Sequence, residues 1–151
     1  MNQKRINRMI PVAIQKIKEV KLDDNSKLLV EENGEELLPS NYSSYMDSFG
    51  ISVRMSGLLQ TVAFYEKDEE KDEEKDGKKD GNRKLINKLL IEVLAENDES
   101  LKGKELLSVV CEKIKDPIEY RKFEERVIEA TIACKLAMKT YKKKKVEESE
   151  W

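Results

Sequence analysis

Basic side chains are concentrated near the beginning and near the end of this chain. The first group comprises Lys4, Arg5, Arg8, Lys16, Lys18 and Lys21, with Glu19 as the one acidic residue among them. The second group comprises Lys135, Lys139 and the run Lys142 to Lys145. Such clusters bind phosphate groups, because contact with a nucleic-acid backbone releases its condensed counterions. Phosphate binding is therefore the clearest chemistry that these residue types offer.

A third basic position is Arg54, an isolated cation within the largely uncharged residues 42–65. If the first and last helices pack side by side with Arg54 nearby, all three regions can form one basic face. The formal net charge of -2 is compatible with such a face, because acidic residues are concentrated in the middle, above all at 66–76. The candidate phosphate contacts are Arg5, Arg8, Lys16, Arg54, Lys135, Lys139, Lys142 and Lys143. The alternative is that these are ordinary solvated helix faces, with the final lysines placed to favour a helix C-terminus.

The residue types present do not favour catalysis. The chain has no histidine, which is the commonest general base and a frequent zinc ligand. Neither cysteine is spaced for metal binding, and neither common type of glycine-rich phosphate loop occurs. A metal-dependent nuclease built from aspartate and glutamate alone is the one enzymatic alternative left open. We therefore expect a protein with no catalytic residue, cofactor or metal.

The helix that must position the first basic group is indicated by apolar residues at alternating spacings of four and three. These residues are Ile6, Ile10, Ala13, Ile17 and Val20. Residues 22–41 lose this periodicity, and Asn33-Gly34 indicates a turn. Pro39-Ser40-Asn41 can begin the next helix, and Gly57 is predicted to be a kink that divides it into two pieces. These pieces are predicted to pack closely through the small residues Gly50, Ser52, Ser56 and Gly57.

The second half of the chain contains further helical patterns. Asn82 is predicted to cap one helix, and residues 97–100 to end it and to cap another. The clearest local signal is Asp116-Pro117 followed by Glu119, which is typical of a capped helix N-terminus with proline at the first position. The helix that begins there is predicted to run to about Lys145 and to be apolar on more than one side, as in the centre of a bundle. Since no alternating strand pattern occurs, we predict an all-α fold, a single compact bundle of about five to six helices.

One domain is expected over residues 1–151, with a low-complexity charged loop at about 66–82. This loop is built from four-residue repeats without an apolar member, so burial cannot offset the entropy of ordering it. No stretch approaches about 18 uninterrupted apolar residues, so no membrane segment is predicted. The expected location is the cytoplasm.

Residues 57–64 form the motif Gly-Leu-Leu-Gln-Thr-Val-Ala-Phe, and after it come the variable residues 66–81, Tyr120-Arg121 and Lys139. In this order and at this spacing the chain resembles the small subunit of type III-B CRISPR effector complexes, the Cmr complexes. That family has a basic amphipathic first helix, a helix with a Gly-Leu-x-Gln-x-x-Ala-Phe run, and a variable loop. Its last helix opens with Tyr-Arg and closes on basic residues. The chain departs from the family pattern at about Leu136, where many relatives carry tryptophan.

The resemblance implies a helical bundle that acts as a non-catalytic structural subunit of an RNA-guided antiviral complex. Its expected partners are other Cmr subunits, guide RNA, target RNA and further copies of itself stacked head to tail. The basic face would contact RNA phosphates, while cleavage of the target would belong to neighbouring subunits. The main alternative is a helical protein–protein adaptor without any nucleic-acid contact.

Overall fold

Six α-helices and a small three-stranded sheet make up the described part of the protein, which in this computed structural model comprises residues 2–67 and 82–145. The helices are α1 (Gln3–Glu19), α2 (Ser40–Ser56), α3 (Leu58–Glu66), α4 (Lys84–Ala95), α5 (Leu106–Lys113) and α6 (Pro117–Met138). The strands are β1 (Val30–Glu32), β2 (Glu35–Pro39) and β3 (Lys143–Lys144), and a short 3-10 helix spans Glu99–Leu101. The predicted helical bundle is confirmed. Most of the predicted charged loop, residues 68–81, lies outside the described residues.

The central helix is α6, which packs against α1, α2, α4 and α5. Both Glu129 and Thr131 are buried on it, although they lie about 160° apart around the helix axis. Glu129 accepts hydrogen bonds from α1, whereas the Thr131 hydroxyl lies 3.5 Å from where a Cβ of Gly50 on α2 would be. Helices α1 and α2 therefore flank α6 on nearly opposite sides.

Helices α1 and α6 run parallel to each other. The backbone N–H of Asn2 donates to the Glu129 carboxylate, and the Tyr141 hydroxyl donates to the Ile14 carbonyl. Both contacts join residues 127 positions apart, so the two helices keep one register over their shared length. The first and last helices pack side by side, as the predicted basic face requires.

The prediction that no strand would form is wrong for residues 30–39. Strands β1 and β2 are antiparallel, with Glu32 opposite Glu35 across the turn Asn33-Gly34. Both turn residues have positive φ, 53° and 79°, which is the conformation that closes a two-residue hairpin. Glutamates fill both strands and mask the alternation, and only Leu37 and Leu38 of β2 are buried.

Helix α6 ends at Met138, seven residues before the predicted end at Lys145. The N–H groups of residues 139–141 donate to carbonyls three residues back, which tightens the last turn. The chain then extends, and Leu38 N–H donates to the carbonyl of Lys142 at 2.9 Å. Strand β3 pairs in parallel with β2, so Lys142 and Lys143 belong to the sheet rather than to the helix.

The start of α6 is formed as predicted. The Asp116 carboxylate accepts from the N–H groups of Ile118 and Glu119, at 3.0 and 3.4 Å, and Pro117 occupies the first turn. These bonds satisfy donors that have no partner inside the helix. A strong local signal therefore fixes where the central helix begins.

Candidate nucleic-acid interface

Gly57 separates α2 from α3 and thereby positions Arg54 near the end of α2. Its φ of 93° and ψ of 162° lie in a region that only glycine occupies readily. The predicted kink at this residue is confirmed. The first N–H groups of α3 are held by α6: Leu58 N–H donates to Glu124 at 3.2 Å, and Leu59 N–H donates to the Tyr120 hydroxyl at 3.0 Å.

The small residues around this junction have different neighbours. The hydroxyl of Ser52 lies 2.6 Å from that of Thr61, so this pair joins α2 to α3 as predicted. Gly50 faces α6 instead of α3, and Ser56 is exposed. The prediction that all four small residues join the two helical pieces is therefore wrong for Gly50 and Ser56.

Arg54, Lys135 and Lys139 lie along the groove between α2 and α6. Lys135 of α6 forms an ion pair of 2.5 Å with Asp47 of α2. Arg54 follows Asp47 by seven residues, about 10 Å along the same edge of α2, and Lys139 follows Lys135 by one helical turn. Because α2 and α6 are antiparallel, Arg54 and Lys139 lie on opposite sides of the Lys135–Asp47 pair. All three basic residues are exposed, and within residues 2–67 and 82–145 neither Arg54 nor Lys139 forms an ion pair. We call these three residues the groove cations.

Arg5 lies on the opposite flank of α6 and is held by a buried partner. Its Nε and Nη2 donate to the two carboxylate oxygens of Glu129 at 2.8 and 2.9 Å. The Glu129 side chain is 0% exposed. Burial by itself raises the pKa of Glu129, but the hydrogen bonds from Arg5 and Asn2 outweigh it and hold that pKa below its usual value. The same contact raises the pKa of Arg5.

Arg8 and Lys16 lie further along α1. Arg8 is exposed at the rim of a cavity between α1, α4 and α6, and it forms no ion pair among the described residues. Lys16 lies two turns later, with its ammonium 3.6 Å from Glu19 and 3.7 Å from Glu96, which directly follows α4. These two cations therefore face the α4 side of the molecule.

Lys142 and Lys143 are held at the sheet. Lys142 is 3.0 Å from the carboxylate of Glu35, and the Lys143 ammonium donates to the Met138 carbonyl at 2.5 Å. Burial lowers the pKa of Lys143. Both side chains therefore have partners within the protein.

The eight candidate cations occupy three separate regions. Arg54, Lys135 and Lys139 share the groove; Arg5, Arg8 and Lys16 lie on the α1–α4 side; and Lys142 and Lys143 belong to the sheet. The parallel packing of α1 and α6 brings the two basic helices together, but α6 separates Arg54 from the cations of α1.

Two further cations were not predicted as site residues. Arg126 shares the cavity rim with Arg8, and its Nε is 4.0 Å from Glu129. Arg121 is exposed at the beginning of α6, on the same side of that helix as Lys135 and Lys139. The spacing of Arg121, Lys135 and Lys139 in the sequence, at 100° per residue, is consistent with this shared side. Only the fold indicates the position of Arg126.

The described residues contain no group of three or more histidine, cysteine, aspartate or glutamate side chains placed to hold a metal ion. Among the described helices none is both long enough and apolar enough to cross a bilayer.

A family model described as CRISPR-associated protein (Cas_Cmr5) matches residues 5–140 of the chain. This span includes α2 to α6, all of α1 except its first two residues, the Gly57 junction and all three groove cations. No curated protein and no solved structure matches the chain.

Proposed function

The chain belongs to the Cmr5 family of CRISPR-associated proteins, and we propose that it is a non-catalytic structural subunit of a type III-B effector complex. Its partners in that complex are other Cmr subunits. Copies of the chain stack head to tail beside the guide-bearing filament in the cytoplasm and contact the phosphates of guide and target RNA. The family match is the observation that carries this proposal.

The groove cations are the best candidates for the RNA contact. Among the described residues, Arg54 and Lys139 form no ion pair that a phosphate would have to break. Lys135 is exposed, but the Asp47 Oδ1 atom that it contacts is buried, so Lys135 would contact a phosphate while it stays paired. Lys16 and Lys142 are secondary contacts, because their carboxylate partners are exposed and can be displaced. Exposed pairs of this kind contribute about 0–1 kcal/mol.

Arg5 and Lys143 are poor candidates for direct contact. Moving Arg5 to a phosphate would leave the buried Glu129 carboxylate without its main partner, which is strongly unfavourable. Lys143 is half-buried and donates to a backbone carbonyl. These two residues therefore stabilise the fold, and neither can leave its present partner for an RNA phosphate.

A charge-reversal experiment tests the RNA contact. The double variant Arg54→Glu/Lys139→Glu is compared with Lys18→Glu/Lys104→Glu, which makes the same change in net charge at exposed positions outside the groove. The measurements are association with a guide-bound complex of the other Cmr subunits, and affinity for single-stranded RNA at two salt concentrations. Circular dichroism verifies that each variant is folded.

The groove variant is expected to lose association, whereas the matched control keeps it. If Arg54 and Lys139 each neutralise one phosphate of single-stranded RNA, their substitution should lower the magnitude of the slope of log affinity against log salt concentration by about 1.4. Unchanged affinity and unchanged slope in the groove variant would exclude these residues as RNA contacts.

A protein–protein adaptor is the second candidate, and exposed apolar residues favour it. Ile51 and Met55 lie one turn apart on α2 with exposures of 63% and 81%. Such residues are typical of a contact surface for another protein. If Ile51→Ser/Met55→Ser abolishes association while the isolated wild-type protein binds no RNA at low salt, the adaptor function is supported instead.

A further inference from the structure

A cavity of about 550 Å³ lies between the beginning of α1, the end of α4 and the first half of α6. Its size falls within the range of about 300–1,000 Å³ that is typical of small-ligand sites. Met9, Leu94, Leu101 and Phe123 supply an apolar wall, while Asn2 and Asn97 supply amide groups. The groove cations are not part of this cavity.

Cationic side chains predominate at the cavity. Lys4, Arg5, Arg8 and Arg126 line it, against the single lining carboxylate of Asp98. The hydrogen bonds from Ser100 lower the pKa of Asp98, so this carboxylate is charged and already engaged as the cap of the 3-10 helix. The carboxylate of Glu129 offsets the charge of Arg5. The other three lining cations still outnumber the one charge of Asp98, so the rim is positively charged.

The placement of these cations on α1 opposes the ordinary preference of a helix. The N-terminal end of a helix is the positive end of its dipole and favours acidic residues. The first turn of α1 contains no acidic residue, and Lys4, Arg5 and Arg8 occupy its first two turns. The Glu129 carboxylate already accepts the Asn2 N–H at this end of α1. A bound anion would therefore be stabilised mainly by the exposed cationic side chains of the cavity, Lys4, Arg8 and Arg126.

Arg5 is fixed in place at the cavity. Its two hydrogen bonds to Glu129 use two of the five N–H donors of a guanidinium group. The other donors belong to a side chain whose position is already set by a buried carboxylate, so little additional conformational entropy is lost when they bind a ligand.

We propose that this cavity binds a single nucleotide, with its phosphate at the rim formed by Lys4, Arg8 and Arg126 and its base against the apolar wall. The inference deepens the proposed function, on which it rests for the choice of a nucleotide among phosphorylated ligands. The Asn97 amide is suited to hydrogen bonding with a base edge, as in the recognition of unstacked bases, whereas the Asn2 oxygen already caps α1 and only its NH2 group is left to donate. The nucleotide is either free or part of an RNA strand.

The test uses the full chain and two matched variants. Arg8→Gln/Arg126→Gln removes two cations at the cavity, while Lys18→Gln/Lys104→Gln removes two exposed cations outside both the cavity and the groove. All four residues are exposed, so both variants should fold, and their thermal unfolding is compared with that of the wild type. The probes are adenosine 5′-monophosphate, adenosine, inorganic phosphate and a short single-stranded RNA, titrated by calorimetry and NMR.

The wild type and the control are expected to bind the nucleotide more tightly than either adenosine or inorganic phosphate. The cavity variant should lose about tenfold or more in affinity, the usual effect of removing hydrogen bonds to a charged group. Weakened binding of both the free nucleotide and the RNA identifies a general nucleotide site. Weakened binding of the RNA alone, with no binding of the free nucleotide by the wild type, identifies a site for one nucleotide of a strand.

Other results overturn the inference. Equal affinity for inorganic phosphate and the nucleotide would show that the apolar wall takes no part and that the site binds anions only. Unchanged RNA affinity in the cavity variant, without nucleotide binding, would reject the cavity while the proposed RNA contact at the groove stands. Nucleotide binding without any RNA affinity in the wild type would instead reject the groove proposal and leave the cavity supported.

Discussion

Gly57→Ala should destabilise the protein through the backbone alone. The φ of 93° and ψ of 162° at this residue cost a residue with a Cβ about 1–3 kcal/mol. Crowding adds nothing, because the nearest atom to a Cβ there is the Tyr120 hydroxyl at 3.9 Å. A shift of the backbone that relieved this strain would disturb the hydrogen bonds from Leu58 and Leu59 to α6. The loss of unfolding free energy is therefore expected to remain.

The matched control is Gly50→Ala, which changes the same residue type in the same helix. Gly50 lies inside α2 without positive φ, and a Cβ would meet Thr131 Oγ1 at 3.5 Å, an ordinary contact. Alanine is therefore expected to stabilise the helix by about 0.5–1 kcal/mol relative to glycine. The two substitutions should thus have opposite signs.

Urea-induced unfolding measures both free energies, and thermal unfolding should shift by about 2–4 °C per kcal/mol for a chain of this size. A Gly57→Ala variant as stable as the wild type would refute the assignment of this junction as a glycine-only conformation. A destabilised Gly50→Ala variant would instead show that α2 and α6 are packed more tightly than the 3.5 Å contact indicates.

Two further predictions concern α6. Because the folded pKa of Glu129 lies below its ordinary value of 4.5, its stabilisation is present above pH 4.5 and is lost as the pH falls through the lowered value. Glu129→Gln should cost about 1.5–3 kcal/mol of unfolding free energy at neutral pH, and the difference from wild type should shrink on acidification; a gap independent of pH would contradict this. Tyr120→Phe removes the acceptor for Leu59 N–H and should cost about 1 kcal/mol in urea unfolding, and an unchanged value would show that the bond is not needed.

The structural features that were predicted correctly are those determined by residues adjacent to one another in the sequence. The start of α6 follows from Asp116-Pro117, and the break between α2 and α3 follows from the conformational freedom of Gly57. The hairpin was missed because its glutamates hide the alternation, although Asn33-Gly34 was recognised as a turn. The end of α6 was missed because β3 forms by pairing with a strand more than 100 residues away.

In the candidate site, too, the contacts between residues distant in the sequence could not be predicted. The lysines and arginines of the candidate site are visible in the sequence, but the residues that pair with them are not. Arg5 pairs with Glu129, and Lys135 with Asp47, across most of the chain. Whether a cation is held by a partner or exposed to a ligand therefore depends on packing. The cavity at Arg8 and Arg126 could not be predicted for the same reason.

The register shared by α1 and α6 also bears on how the protein folds. Contacts such as Asn2–Glu129 and Tyr141–Ile14 span 127 residues, a long separation for a helical protein. Chains with a high contact order fold slowly, because the entropy of closing a long loop is lost before the contacts that stabilise the fold can form. During synthesis α1 emerges well before α6, so the side of α1 that packs against α6 stays uncovered until α6 is made. The apolar stripe of α1 is thus the surface that a nascent chain exposes longest.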